Sequence, residues 1–271
     1  MPDAASALLA RSRRAVRAIA ALSGTALVAL AMPAQAEAGP CERQRLAGAD
    51  FVVCTVDPAR ADLRLFWQDD AGTAYRRFSA LADDVARGGQ SLVFAMNAGM
   101  YAKDFSPIGL YVQAGRQLQP LNTRVVNGTP AQVPNFYKQP NGVFFLDDAG
   151  AGVLTSEAYA QRRPRARFAT QSGPMLVIDG KLHPAFIEGS TDRTRRNGVG
   201  VCDDGQVRFV ISDAGINFHD FARVFRDELR CPNALFLDGG RGAGLYAPDL
   251  QRDDRSWHGG YGPMVGVVAA P

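Results

Sequence analysis

Apolar residues in this chain fall into short runs broken by turn residues, and the spacing inside each run predicts its element. FVVCTV from Phe51 and ADLRLFW from Ala61 are rich in β-branched and aromatic residues and read as strands. Over 73–87 the period changes. Tyr75, Phe78, Leu81, Ala82 and Val85 share one helical face, and Gly88-Gly89 ends the helix. SLVFAMN, from Ser91, is again a strand.

The middle of the chain reads as hairpins. Apolar segments reverse at Ala114-Gly115, between Asp148 and Gly152, at Asp179-Gly180 and between Asp203 and Gly205, which predicts antiparallel pairing. A second helical face follows over 218–230, carried by Phe218, Phe221, Ala222, Phe225 and Leu229 and stopped by Pro232. NALFLDGG and GPMVGVV are the last strands. The segment over 122–140 is long, polar and broken by Pro and Gly, as surface loops are. The pattern predicts one α+β domain: a curved, mainly antiparallel sheet with two or three packed helices.

That domain is expected over 37–271, because the first 36 residues read differently. Arg11, Arg13, Arg14 and Arg17 precede an uncharged run over 18–32, and Ala34-Gln35-Ala36 follows it. This is the order of a secretory leader with its cleavage site, and the run is shorter than the roughly 20 residues a membrane span needs. The leader changes the charge picture. The whole chain is +3, and residues 1–36, with four Arg and one Asp, also carry +3. The remainder is near neutral, so its global charge predicts neither a nucleic-acid partner nor membrane insertion. Export to the periplasm or the medium is the expected destination.

An exported chain meets oxidising conditions, so Cys41, Cys54, Cys202 and Cys231 are expected to form two disulfides. Three pairings are open. Cys41–Cys54 with Cys202–Cys231 is the favoured one, stapling the mature N-terminus and tying a strand to the segment before the last motif. Metal binding is not expected, since the chain has no Cys-x-x-Cys and its three His are scattered.

Four stretches place polar groups beside glycine at the ends of apolar runs: MNAGMY (96–101), TQSGPM (170–175), RRNGVGV (195–201) and FLDGG (236–240). Each alone reads as a turn, but four together suggest a shared pocket. Asp238 is the sharpest signal. It ends a continuous apolar run, where a carboxylate is costly unless paired or used. Arg195 and Arg196 are its candidate partners, because a guanidinium bonds carboxylate or phosphate in a bidentate fork. Neither a phosphate-binding P-loop nor a G-x-S-x-G nucleophile elbow occurs. His183, His219 and His258 are further acid–base candidates without sequence-adjacent partners.

Taken in order, MNAGMYAKDFSPIGLYV, NGVFF, ATQSGPMLVIDGKLHPAF, RRNGVGV, NFHDFARVFRDEL and NALFLDGG resemble the phosphodiester glycosidase family. The resemblance runs from about Cys41 to the C-terminus. It implies hydrolysis at a sugar's anomeric carbon with a phosphodiester as leaving group, and no cofactor. The family's Asn-Gly-Gly-Phe-Phe is matched at Asn97 and Gly99, with departures at Ala98, Met100 and Tyr101. Its Leu-Asp-Gly-Gly-Gly-Ser is matched from Leu237 to Gly240, with Arg241 and Gly242 departing. Its Arg-Thr-Ala-Ile-Gly aligns with Arg196, which the resemblance favours over Arg195. The implied site has Arg196 clamping phosphate and Asp238 acting at the sugar. Asn97 and Gln171 bond sugar hydroxyls, and Gly99, Ser172, Asn197, Gly239 and Gly240 complete the substrate surface. Main-chain N–H groups at Gly239 and Gly240 are expected to be free for the phosphate. The rival expectation is a binding protein for phosphorylated glycans or envelope polymers that does not cut them.

Overall fold

A computed structural model describes residues 39–129 and 131–270; the expected leader over 1–36 lies outside them. In chain order the first elements are β1 (Cys41–Leu46), β2 (Ala49–Val56), β3 (Asp62–Phe66), α1 (Phe78–Arg87), β4 (Ser91–Asn97), β5 (Tyr111–Gln113) and β6 (Arg116–Gln119). Next come β7 (Gly142–Asp147), β8 (Gly150–Thr155), α2 (Ser156–Arg162), β9 (Phe168–Ser172), β10 (Met175–Ile178), β11 (Lys181–Leu182), β12 (Arg196–Val201) and β13 (Val207–Ser212). The last are α3 (Phe218–Arg223), β14 (Asn233–Gly239), β15 (Leu245–Ala247), β16 (Arg252–Asp253) and β17 (Met264–Ala269).

The antiparallel strands form three sheets. One has the order β1-β2-β13-β12-β14-β10-β11, the second β16-β15-β4-β17-β3, and the third β6-β5-β9-β7-β8. Side-chain alternation explains how they assemble. Val52 and Cys54, Phe94 and Met96, Phe144 and Leu146, and Leu235 and Leu237 all enter one core shared by the three sheets. Their neighbours point outward under a helix. Phe51, Val53, Val210 and Phe236 pack with Phe221 and Phe225 of the α3 segment. Ala95, Met264 and Val268 pack with Phe78, Leu81 and Val85 of α1, and Val143 and Phe145 with Tyr159 of α2. Strands covered on both faces are apolar at every position, which is why they read as unbroken runs.

The helices begin where their caps allow. The predicted 73–87 segment is helical only from Phe78; its first part is extended and bridges Gln68 to Ala74. Asn217 caps α3 by accepting a hydrogen bond from the Asp220 N–H, and a π-helical turn, Val224–Glu228, continues it. Thr155 caps α2, a short helix with no periodic apolar signal, in the same way from Ala158. Both favoured disulfides are present, Cys41–Cys54 and Cys202–Cys231. The first joins directly opposed positions of β1 and β2. Among the described residues no helix is long and apolar enough to cross a membrane.

Candidate active site

Asp238 sits where the three sheets meet. Its backbone N–H donates to Asn197 Oδ1 at 2.9 Å. Asn197 Nδ2 donates to Asn97 Oδ1 at 2.7 Å, and the Gly244 N–H donates to the same oxygen at 2.8 Å. Asn97 is the last residue of β4, so this chain of bonds fastens the second sheet to the first. Ser172, the last residue of β9, donates its hydroxyl to the Leu237 carbonyl and fastens the third. Asn97, Ser172 and Asn197 are all buried. All four polar strand ends meet here, at the residue preceding or carrying the carboxylate, but Asn97, Ser172 and Asn197 meet it as a buried network and do not line the cleft as expected.

The carboxyl itself is enclosed on most sides but touches solvent through a cleft. Gly239 N–H donates to Asp238 Oδ1 at 2.7 Å. Gly242 folds over the group so closely that a Cβ there would lie 2.5 Å from Oδ2. Burial raises the Asp238 pKa to about 6, against the lowering effect of the Gly239 hydrogen bond. The cleft has a volume of about 360 Å³ and is lined by Tyr101, Ala102, Lys103, Phe105, Gly239 and His258 beside Asp238. Tyr101 donates its hydroxyl to the Gly260 carbonyl at 3.1 Å. Burial, and then the charge of Asp238, push its pKa up, so the hydroxyl keeps its proton. Phe105 holds a left-handed backbone, φ +68°, which is strained for a bulky side chain. Its ring lies against Tyr101 (centroids 5.6 Å, planes 20° apart) and under the Arg76 guanidinium, 4.1 Å from the ring centre. Arg76, Phe105 and Tyr101 thus make one stacked wall.

Two expected site residues face away from this cleft. Gln171 precedes Ser172, so alternation turns it to the outer face of the third sheet. There its oxygen accepts from the Leu110 and Asn122 N–H groups, and its nitrogen donates to the Asn122 carbonyl and the Ser156 hydroxyl. Both lone pairs and both protons are used, leaving nothing for a sugar. Arg196 is correspondingly turned away by its neighbour Asn197. It pairs with Gly239 across the ladder, and its side chain leaves on the side opposite Asp238. It is 1% exposed, stacks 3.5 Å over the Phe218 ring, and donates to the Ile216 carbonyl at 2.8 Å. Burial lowers its pKa to about 10. Asp192 is its weak ion-pair partner at 3.4 Å. The Phe186 ring covers the Phe218 ring in turn, and His183 covers Phe186. A guanidinium in that stack is not placed to clamp a phosphate at Asp238. Arg195 faces the other way, to Asp254 at 3.1 Å.

The glycines are there for packing and turning. A Cβ at Gly99 would lie 2.4 Å from Thr170 Oγ1, and one at Gly239 would lie 2.9 Å from the Arg195 carbonyl oxygen. The N–H groups of Gly239 and Gly240 are engaged, the first by Asp238 and the second by the Arg195 carbonyl at 2.8 Å, so they are not the free donors expected. His183 is buried in the Phe186 stack and His219 lies against Asp220; of the three histidines only His258 lines the cleft. Among the described residues no group of three or more His, Cys, Asp or Glu is arranged to hold a metal ion.

Comparison with known proteins decides the family. The phosphodiester glycosidase family model matches residues 90–264, more than half of the chain and all of the polar strand ends. The chain belongs to the phosphodiester glycosidase family. The uncharacterized protein YigE of Escherichia coli (strain K12) is 34% identical over 185 residues, covering 68% of this chain and 70% of YigE. Two solved structures share the fold. The zebrafish N-acetylglucosamine-1-phosphodiester α-N-acetylglucosaminidase catalytic domain, auto-inhibited by its pro-peptide, superposes with a TM-score of 0.58 at 14% identity, over 84% of this chain and 81% of that one. A hypothetical protein from Synechocystis gives 0.52 at 18% identity, over 84% of this chain and 61% of that one.

Within this family the chain departs from the motif pattern at two places beside Asp238. Gly242 stands where the family motif has Ser, and the Asp238 carboxylate occupies the space a Ser side chain would need. Tyr101 stands where the motif has Phe, adding one hydroxyl to the cleft wall. The adjoining Lys103 and Phe105 carried no signal in sequence, because their contribution depends on the turn that presents them.

Proposed function

We propose that this chain is an exported hydrolase that cleaves a glycosyl-1-phosphodiester at the anomeric carbon, with Asp238 acting at the sugar. The observation that carries this reading is the position of the Asp238 carboxyl: raised in pKa, held among three sheets, and lining a cleft open to solvent. Ionised, it faces the anomeric carbon, takes a proton from the attacking water and offsets the positive charge developing on the ring. The bond from that carbon to the phosphate oxygen breaks, and the electron pair leaves on the phosphate. A phosphate monoester is a stable anion and needs no protonation to depart. Lys103 and His258, on the same cleft, take the phosphate-facing role that the resemblance gave to Arg196.

The leader pattern over 1–36 and the two disulfides support export, and a phosphate-linked envelope glycan is the partner this compartment offers. The test is Asp238→Asn on the mature chain with the methyl ester of N-acetylglucosamine-1-phosphate. Turnover is expected to fall by about 100-fold or more with ligand affinity retained. A parent protein that binds this ester and never cleaves it would instead be a non-catalytic binder.

A further inference from the structure

We infer that Trp257 is a binding platform for a second sugar ring, the aglycone on the far side of the scissile phosphate. The inference rests on the proposed function for the order of the subsites. Trp257 is 84% exposed, the most exposed large apolar side chain among the described residues. An indole is costly to leave in water, and this one is almost wholly exposed. Its place is not random. Its backbone N–H donates to the Arg241 carbonyl at 3.4 Å, which lays it beside the turn that follows Asp238-Gly239. Its chain neighbour His258 lines the cleft, and the next residue, Gly259, accepts a hydrogen bond from Arg76 of the stacked wall. Trp257 is therefore on the rim, one residue beyond the group proposed to meet the phosphate.

The chemistry of that rim selects the occupant. The Phe105 ring is already engaged by Tyr101 and Arg76, so Phe105 is a wall and not a platform. Trp257 alone offers an open aromatic face. Its chain neighbours Arg255 and His258, its backbone partner Arg241 and the cleft's Lys103 are all exposed polar groups, and the other exposed large apolar side chains among the described residues, Val125 and Ile187, are aliphatic and lie far away in sequence. A pyranose matches this pattern: its C–H face lies on the indole while its hydroxyls reach the polar side chains. A lipid chain or apolar peptide would need a continuous apolar surface. The subsites then run from the cleaved sugar at Asp238, through phosphate at Lys103 and His258, to the aglycone ring at Trp257.

Two esters of N-acetylglucosamine-1-phosphate test this on the mature chain. One carries a methyl group, and the other carries a methyl hexopyranoside joined through its primary hydroxyl. Trp257→Ala is expected to raise KM for the hexosyl ester about fivefold while KM for the methyl ester stays within about twofold, and Trp257→Phe is expected to retain most of the difference. The chain has two Trp, so in a Trp67→Phe background the emission reports Trp257 alone. The hexosyl ester is expected to shift that emission and the methyl ester to leave it. Equal effects of Trp257→Ala on both esters, or no effect on either, would overturn the subsite while leaving the hydrolase reading intact. An emission shift with no cleavage of either ester would overturn the hydrolase reading and support the platform. Neither shift nor cleavage would overturn both.

Discussion

Asp238 concentrates the chemistry of the site in one titration. Burial holds its pKa at about 6, so within the cleft the carboxylate forms only as the pH rises past that value. The proposed role needs the ionised form. The pH profile of kcat/KM is therefore expected to climb through about pH 6 and level off above it. A rate that instead falls across the same window would make Asp238 a proton donor. Arg196 tests the opposite assignment. Its guanidinium serves the Phe218 stack and the Ile216 carbonyl, so Arg196→Lys is expected to lower stability by about 1–3 kcal/mol and to leave KM unchanged. A selective rise in KM with no loss of melting temperature would return the phosphate clamp to Arg196. The carboxylate was legible in the sequence because it ends a strand apolar at every position, where an unused charge would be expensive. Which arginine faces it was not legible. The ladder shifts register between Arg196 and Gly198, and one residue of shift decides which side chain looks into the cleft.

At the scale of elements, the polar strand ends explain how a loosely signalled site becomes rigid. Asn197 links the backbone of Asp238 to Asn97, so β14 cannot move without β12 and β4. Asn197→Ala is expected to cost about 1–3 kcal/mol in denaturant titrations, because it leaves buried partners unsatisfied. Turnover is expected to drop as well, with KM less affected; an unchanged kcat would mean that the network holds the fold and not the carboxylate. The convergence of these strand ends was readable from their shared polar-glycine pattern. The motif does not distinguish neighbours that alternation turns to opposite faces, which is why Gln171 and Arg196 share it with Ser172 and Asn197. The wall at 101–105 was invisible for a different reason. Phe105 holds a left-handed backbone and stacks with both Tyr101 and Arg76, and Arg76 comes from a segment the periodicity placed inside a helix.

For the molecule as a whole, three sheets around a shared core put the catalytic candidate at their common corner. Two disulfides constrain the chain in the same body, one across β1 and β2 and one from the end of β12 to the start of β14. The class, α+β with antiparallel pairing, followed from hairpin turns and two amphipathic segments. The partition into three sheets did not, since strands buried on both faces look alike whichever sheet they join. The corner at Asp238 serves either of two bond cleavages, on the sugar side or the phosphate side of the bridging oxygen. Hydrolysis of the methyl ester of N-acetylglucosamine-1-phosphate in heavy-oxygen water, read by mass spectrometry of the released phosphate monoester, separates them. Cleavage at the anomeric carbon predicts a phosphate product free of the label. Heavy oxygen in the phosphate would show attack at phosphorus and contradict the account.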